Sequence, residues 1–131
     1  MDKATLDFWN GENSGYKTVE NVEELEASLR ELHRQGSGII GIDVPMFGNS
    51  LAVGIDVHCG FIMFGDKSGD PPYRMVIEDP DAPDEDLEFD VEGTPTPISL
   101  RRCIPFERVI SLVKHFYLHG RFPEGTEWEE D

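Results

Sequence analysis

The sequence predicts an α+β fold: a mainly antiparallel sheet of about five to six strands, with two helices packed on one face, in a single domain spanning residues 1–131. Two segments, near 21–35 and 105–119, repeat apolar residues at helical spacing. Between them, short apolar runs follow one another through turn-forming residues with no helix intervening, which favours antiparallel neighbours. With 131 residues and 38% hydrophobic content, the chain can bury a core without disulfides or metal.

Residues 4–9, ATLDFW, read as a strand with Leu6 and Phe8 on one face, and NGENSG after it reads as a loop. NVEELEASLRELHRQ (21–35) is the clearest helix. Asn21 is placed to cap it, Glu24 completes a capping box, and Val22, Leu25, Leu29 and Leu32 form one stripe. Gly36 is placed to end it in a left-handed conformation. GIIGIDV (38–44) stops at Pro45, and FGNS makes a turn. In LAVGIDV (51–57), Leu51, Val53, Ile55 and Val57 share a face, while Ala52, Gly54 and Asp56 leave the other open to close backbone approach. FIMF (61–64) and YRMVIE (73–78) are further strands. DLEFDVE (86–92) alternates strictly, with Leu87, Phe89 and Val91 as anchors to the core. GTPTPISLRRCIP is extended, Pro105 suits the first helical position, and Gly120 ends the second helix. Trp128 falls on a short final strand or a docked tail.

The charge balance is uneven: 27 Asp and Glu against 11 Lys and Arg, a net charge of −16. That balance opposes direct nucleic-acid binding, which needs a basic surface, and opposes docking on an anionic membrane. It suits a basic partner approached through long-range steering, and it also serves plain solubility. No segment is apolar enough to span a membrane and MDKATLDFWN lacks a signal-peptide core, so the expected location is the cytoplasm. Cys59 and Cys103 are far apart in sequence and suggest no disulfide framework.

Residues 78–92, EDPDAPDEDLEFDVE, hold nine carboxylates and no Lys or Arg. The stretch fails the calcium-loop pattern, with Pro83 at the fifth place and Asp84 where glycine is required. His115 and His119 are spaced to share a metal, but Phe116 stands where a zinc protease motif needs glutamate and no third ligand is specified. Both histidines lie opposite the apolar arc of their helix, where solvent exposure explains them as well. Cys59 follows His58, yet strand neighbours point to opposite faces. No serine sits in a nucleophile elbow and no glycine-rich loop precedes a helix. Nothing points to catalysis, and no cofactor or metal is expected. Phe8, Phe61, Phe64, Tyr73 and Phe89 fit core packing, whereas Trp9 and Phe47 adjoin loops and are placed to meet a partner.

A proline-started apolar helix running into HFYLHGRFPEGTEWEED resembles the ending of Imm-one type immunity proteins of bacterial polymorphic toxin systems. The matching residues are Phe116, Gly120, Pro123 and Trp128, and the element order is similar over most of the chain. The glycine and proline would also end a helix and turn the chain in any fold. The resemblance implies a protein that performs no chemistry. It would bind a cognate toxin domain in the cytoplasm and block its active site, the toxin commonly being a nuclease or nucleic-acid deaminase with a basic surface. The resemblance carries over no contact residues.

The residues themselves suggest where contact would occur. Alternate residues on a strand stand about 6.7 Å apart. Asp86, Glu88, Asp90 and Glu92 would therefore form a row of carboxylates resembling a nucleic-acid backbone. The preceding loop adds Asp79, Asp81, Asp84 and Glu85, and Trp9 and Phe47 complete the candidate toxin-binding set. An ordinary solvated face is the competing account of these acids. Two other functions fit the composition: a small metal-dependent hydrolase using His115 and His119, or an acidic structural subunit of a larger assembly.

Overall fold

The computed structural model describes residues 3–9, 14–36, 38–44, 49–56, 59–65, 73–91 and 94–130. The first strand, β1 (Ala4–Trp9), pairs with β2 (Ser14–Val19). Helix α1 (Val22–Gln35) follows, then β3 (Gly38–Val44), β4 (Asn49–Ile55), β5 (Cys59–Phe64) and β6 (Arg74–Ile77). Next come β7 (Asp86–Val91) and β8 (Thr94–Ser99). A 3₁₀ turn (Leu100–Arg102) leads through β9 (Ile104–Pro105) into α2 (Phe106–His119), and β10 (Glu127–Glu130) comes last.

The class is α+β, with more strands than the sequence suggests. The main sheet runs β10-β6-β5-β4-β3-β1-β2, and β9 pairs with β5, giving eight strands with every pairing antiparallel. One extra strand is β2, whose first residues fall where a loop was expected. It is an edge strand, and among its described side chains only Val19 is buried, so it lacks the apolar alternation that marks a strand. Its Gly15 sits opposite Phe8, and the Phe8 ring lies where a Gly15 side chain would stand, 2.4 Å from an added Cβ.

Helix α1 is capped as its sequence predicts, the Asn21 side chain accepting from the Glu24 amide at 2.8 Å, while the Glu24 carboxylate accepts from Asn21 Nδ2 of the side chain. Leu25 and Leu29 are buried, with Val22 and Leu32 packed beside them. Gly36 does adopt a positive φ of 123°, but its ψ of −163° lies outside the left-handed helical region. The left-handed ending occurs instead at Gly120, with φ 74° and ψ 11°. Pro105 stands one residue before α2 in an extended conformation, because it pairs with Cys59 as the end of β9.

Both helices cover the same face of the main sheet. Leu6, Ile40, Ile42, Leu51, Val53 and Ile62 face them and join Leu112, Val113 and Tyr117 in one large core. The helices are also bridged by charge: Arg30 makes two 2.8 Å bonds to Glu107, and Lys114 reaches Glu26 at 2.6 Å. His33 of α1 stacks on Phe106 of α2 with ring centroids 3.8 Å apart.

The opposite face carries a second, smaller core of Phe61, Met75, Phe89 and Ile98. Here the structure departs from expectation: β7 does not join the main sheet. It pairs only with β8, as a two-stranded ribbon laid over the sheet. Gly54 makes room for this packing. Its partner Phe61 lies over it, 2.0 Å from where a Cβ would stand, and meets Phe89 edge-on at 5.2 Å. What approaches Gly54 so closely is an aromatic ring rather than the backbone the sequence suggested.

Candidate functional site

The acidic stretch begins where β6 ends. The amides of Glu78 and Asp79 both donate to the Arg101 carbonyl, at 2.8 and 3.2 Å. Asp79 then makes a local turn, its carboxylate accepting from the Asp81 amide at 3.1 Å and its carbonyl from Ala82. The Glu85 amide donates to the Pro83 carbonyl, and the Glu85 carbonyl accepts from Leu100 at 2.9 Å. The loop is therefore a shaped segment stitched to the 3₁₀ turn, and it leads into β7.

Strand alternation then sorts β7. Phe89 is buried at 1% exposure, whereas Asp86 and Glu88 face outward. Leu87, expected as an anchor, is 36% exposed, because it lies beyond the small core that holds Phe89. Asp79, Asp81, Asp84 and Glu85 are all exposed in the loop. Among the described residues no salt bridge reaches these four, nor Asp86 or Glu88. The nearby arginines are engaged elsewhere: Arg101 and Arg102 bond Glu129 of β10 at 2.9 and 2.6 Å, and those bonds, Arg101's foremost, hold its carboxyl below the ordinary value. The loop and ribbon thus bring six exposed carboxylates of the expected set onto one continuous segment. Asp90 and Trp9 take their places in β7 and β1 by backbone, with side chains outside the described residues, as are Glu92 and Phe47 entirely.

Beneath the ribbon, Cys59 and Cys103 border the small core and contact each other. Burial, followed by the charge and hydrogen bond of Cys59, pushes the Cys103 thiol up to about 12, and burial also raises Cys59. Such thiols are poor nucleophiles at neutral pH. The rings of His115 and His119 lie 4.4 Å apart, and His115 Nδ1 donates to the Arg121 carbonyl at 2.9 Å. No group of three or more His, Cys, Asp or Glu able to hold a metal occurs among the described residues. No helix among them is long and apolar enough to cross a membrane.

The C-terminal ending builds a second feature that sequence reasoning did not single out as a site. Phe116, Gly120, Pro123 and Trp128 all line one groove of about 310 Å³. Gly120 turns the chain, its amide donating to the Phe116 carbonyl at 2.7 Å, and Thr126 binds the Pro123 carbonyl through its hydroxyl at 2.7 Å. The turn packs Phe122 against Phe64 and Phe116, with centroids 5.1 and 5.3 Å apart, and β10 pairs with β6 so that Trp128 opposes Val76. The four residues of the resemblance therefore serve one local structure.

Residues 12–130 match the family model described as Immunity protein Imm1. The chain belongs to the Imm1 immunity protein family. A search of curated proteins finds no match.

Proposed function

We propose that this immunity-family protein binds and neutralises a cognate toxin domain in the cytoplasm by protein–protein contact, without catalysis of its own. The toxin acts on nucleic acid, as a nuclease or deaminase, and presents a basic substrate-binding surface. The single observation that carries this reading is the row of exposed carboxylates from Asp79 to Glu88, none of which forms an ion pair among the described residues. A chain that pairs Arg101 and Arg102 with Glu129 while leaving these acids bare holds its negative charge for something outside itself. Repulsion among the acids costs stability, and a basic cleft relieves it. The ribbon presents Asp86 and Glu88 at strand spacing and the loop adds four acids before them, so that together they take the place of nucleic-acid phosphates. Charge of this kind raises the association rate and selects the partner, while affinity comes from a few desolvated anchors.

The test is reversal of Asp84, Glu85, Asp86 and Glu88 to Lys, with binding to the inactivated toxin measured across salt concentrations. The expected result is an association rate at least about tenfold slower at low salt, with a flattened salt dependence. Unchanged rates and unchanged salt dependence would sink the proposal.

A further inference from the structure

Among the described residues seven cations form ion pairs, from Lys3 with Glu20 to Lys114 with Glu26. Lys17, Arg74 and Arg121 form none among the described residues, although the chain carries 27 acids. The two arginines line the C-terminal groove. The Arg74 guanidinium lies over the Trp128 indole, 4.8 Å from the ring centroid, and its Nε is shut from water without an acceptor. Glu130 stands opposite Arg74 in the strand pair, yet makes no ion pair with it. Trp128 is 49% exposed, and Phe64, Phe116 and Phe122 supply the apolar remainder.

The chemistry of this groove is specific. A free inorganic anion would satisfy the guanidiniums but leave the aromatic surface wet. A purely apolar side chain would cover the rings but leave the guanidinium charges of Arg74 and Arg121 without a counter-charge. The occupant that answers both is a carboxylate carried next to an apolar side chain, as in an acidic peptide segment. Exposed Trp and Arg are also the residue types that dominate binding energy at interfaces. A second copy of this chain is a poor candidate, since each copy carries a net charge of −16.

We propose that the groove lined by Arg74, Arg121 and Trp128 is a second docking site for the toxin, taking an acidic–apolar segment of that polypeptide. This rests on the toxin-binding reading above. Arg74 opens β6, and the acidic loop starts four residues later at Glu78, about 13 Å along the strand. The arrangement solves a problem that an all-acidic inhibitor would face in a cell full of basic nucleic-acid-binding proteins. Requiring a negative feature beside a positive one rejects partners that offer positive charge alone.

The experiment measures the Kd of the full chain for the catalytically inactivated cognate toxin by calorimetry, with Arg121→Glu and Arg74→Gln alongside the parent protein. Arg121 is exposed, so its reversal leaves the fold intact, and it decides the matter alone where Arg74→Gln lowers the unfolding midpoint. The expected result is at least tenfold weaker binding by Arg121→Glu, restored when one toxin carboxylate is changed to Lys. If the parent protein binds and both variants bind equally well, the groove proposal is overturned while the immunity reading stands. If the parent protein itself fails to bind, the immunity reading falls and takes the groove assignment with it. A dimer of the parent protein that Arg121→Glu abolishes would assign the groove to a second copy, which also overturns the proposal.

Discussion

The two faces of the main sheet are covered in different ways. On one face two helices bury twenty side chains into a continuous core, and ion pairs such as Arg30–Glu107 bridge them. On the other, a two-stranded ribbon packs its Phe89 and Ile98 on Phe61 and Met75 of the sheet, and its outward acids are left unpaired among the described residues. Burial free energy scales with the apolar area removed from water, so the helix face holds the fold and the ribbon face is the less strongly fastened part. The feature proposed to meet the toxin sits on the weaker side, where its acids repel one another without straining the larger core.

The sharpest way to break this contrast is Phe89→Ala. Removing a fully buried phenyl costs about 3–5 kcal/mol, which falls on the attachment of the ribbon. Hydrogen exchange should accelerate in β7 and β8 while the amides of α1 and α2 keep their protection. Loss of protection in the helices as well would show that the two faces unfold as one unit. Next is Leu112→Ala in the large core, expected to cost roughly 2–5 kcal/mol in denaturant unfolding. Here protection should fall throughout, ribbon included.

The smallest effect sharpens the comparison at the base of the ribbon. Glu129 has its carboxyl held below the ordinary value of 4.5 by Arg101 first and then Arg102. A lowered folded-state value means that its contribution is present above pH 4.5 and is lost as pH falls through the folded value. Glu129→Gln should therefore cost about 1 kcal/mol at pH 7. The difference from the parent protein should vanish in acid, as read from unfolding curves across pH. A gap that persisted in acid, once Glu129 is protonated in the folded protein, would show that packing, not charge, is what Glu129 supplies.

Local signals made much of the fold legible. Asn21 with Glu24 set the start of α1, Gly120 the end of α2, and the alternation of Leu51, Val53 and Ile55 set the buried face of β4. β2 escaped because an edge strand with Lys17 and a 74%-exposed Tyr16 needs no apolar alternation. The acidic ribbon was legible as a strand, since alternation tells which side of a segment is buried. Alternation does not tell what buries it, so the separation of β7 from the main sheet was hidden, as was the exposure of Leu87. The groove was beyond reach for a related reason. Phe64, Arg74, Arg121 and Trp128 come from different elements and meet only through the pairing of β6 with β5 and β10.

The pleat of β7 has a consequence for how such a protein changes over generations. Phe89 fastens the ribbon from one side, and Asp86 and Glu88 point away from that fastening. Substitutions at the outward positions alter what the ribbon presents while leaving its attachment intact. Exposed substitutions of this kind shift stability by only about 0.5 kcal/mol. Under the proposed toxin contact, drift can therefore explore new partners at those positions nearly free of folding cost, whereas position 89 is constrained whatever the partner.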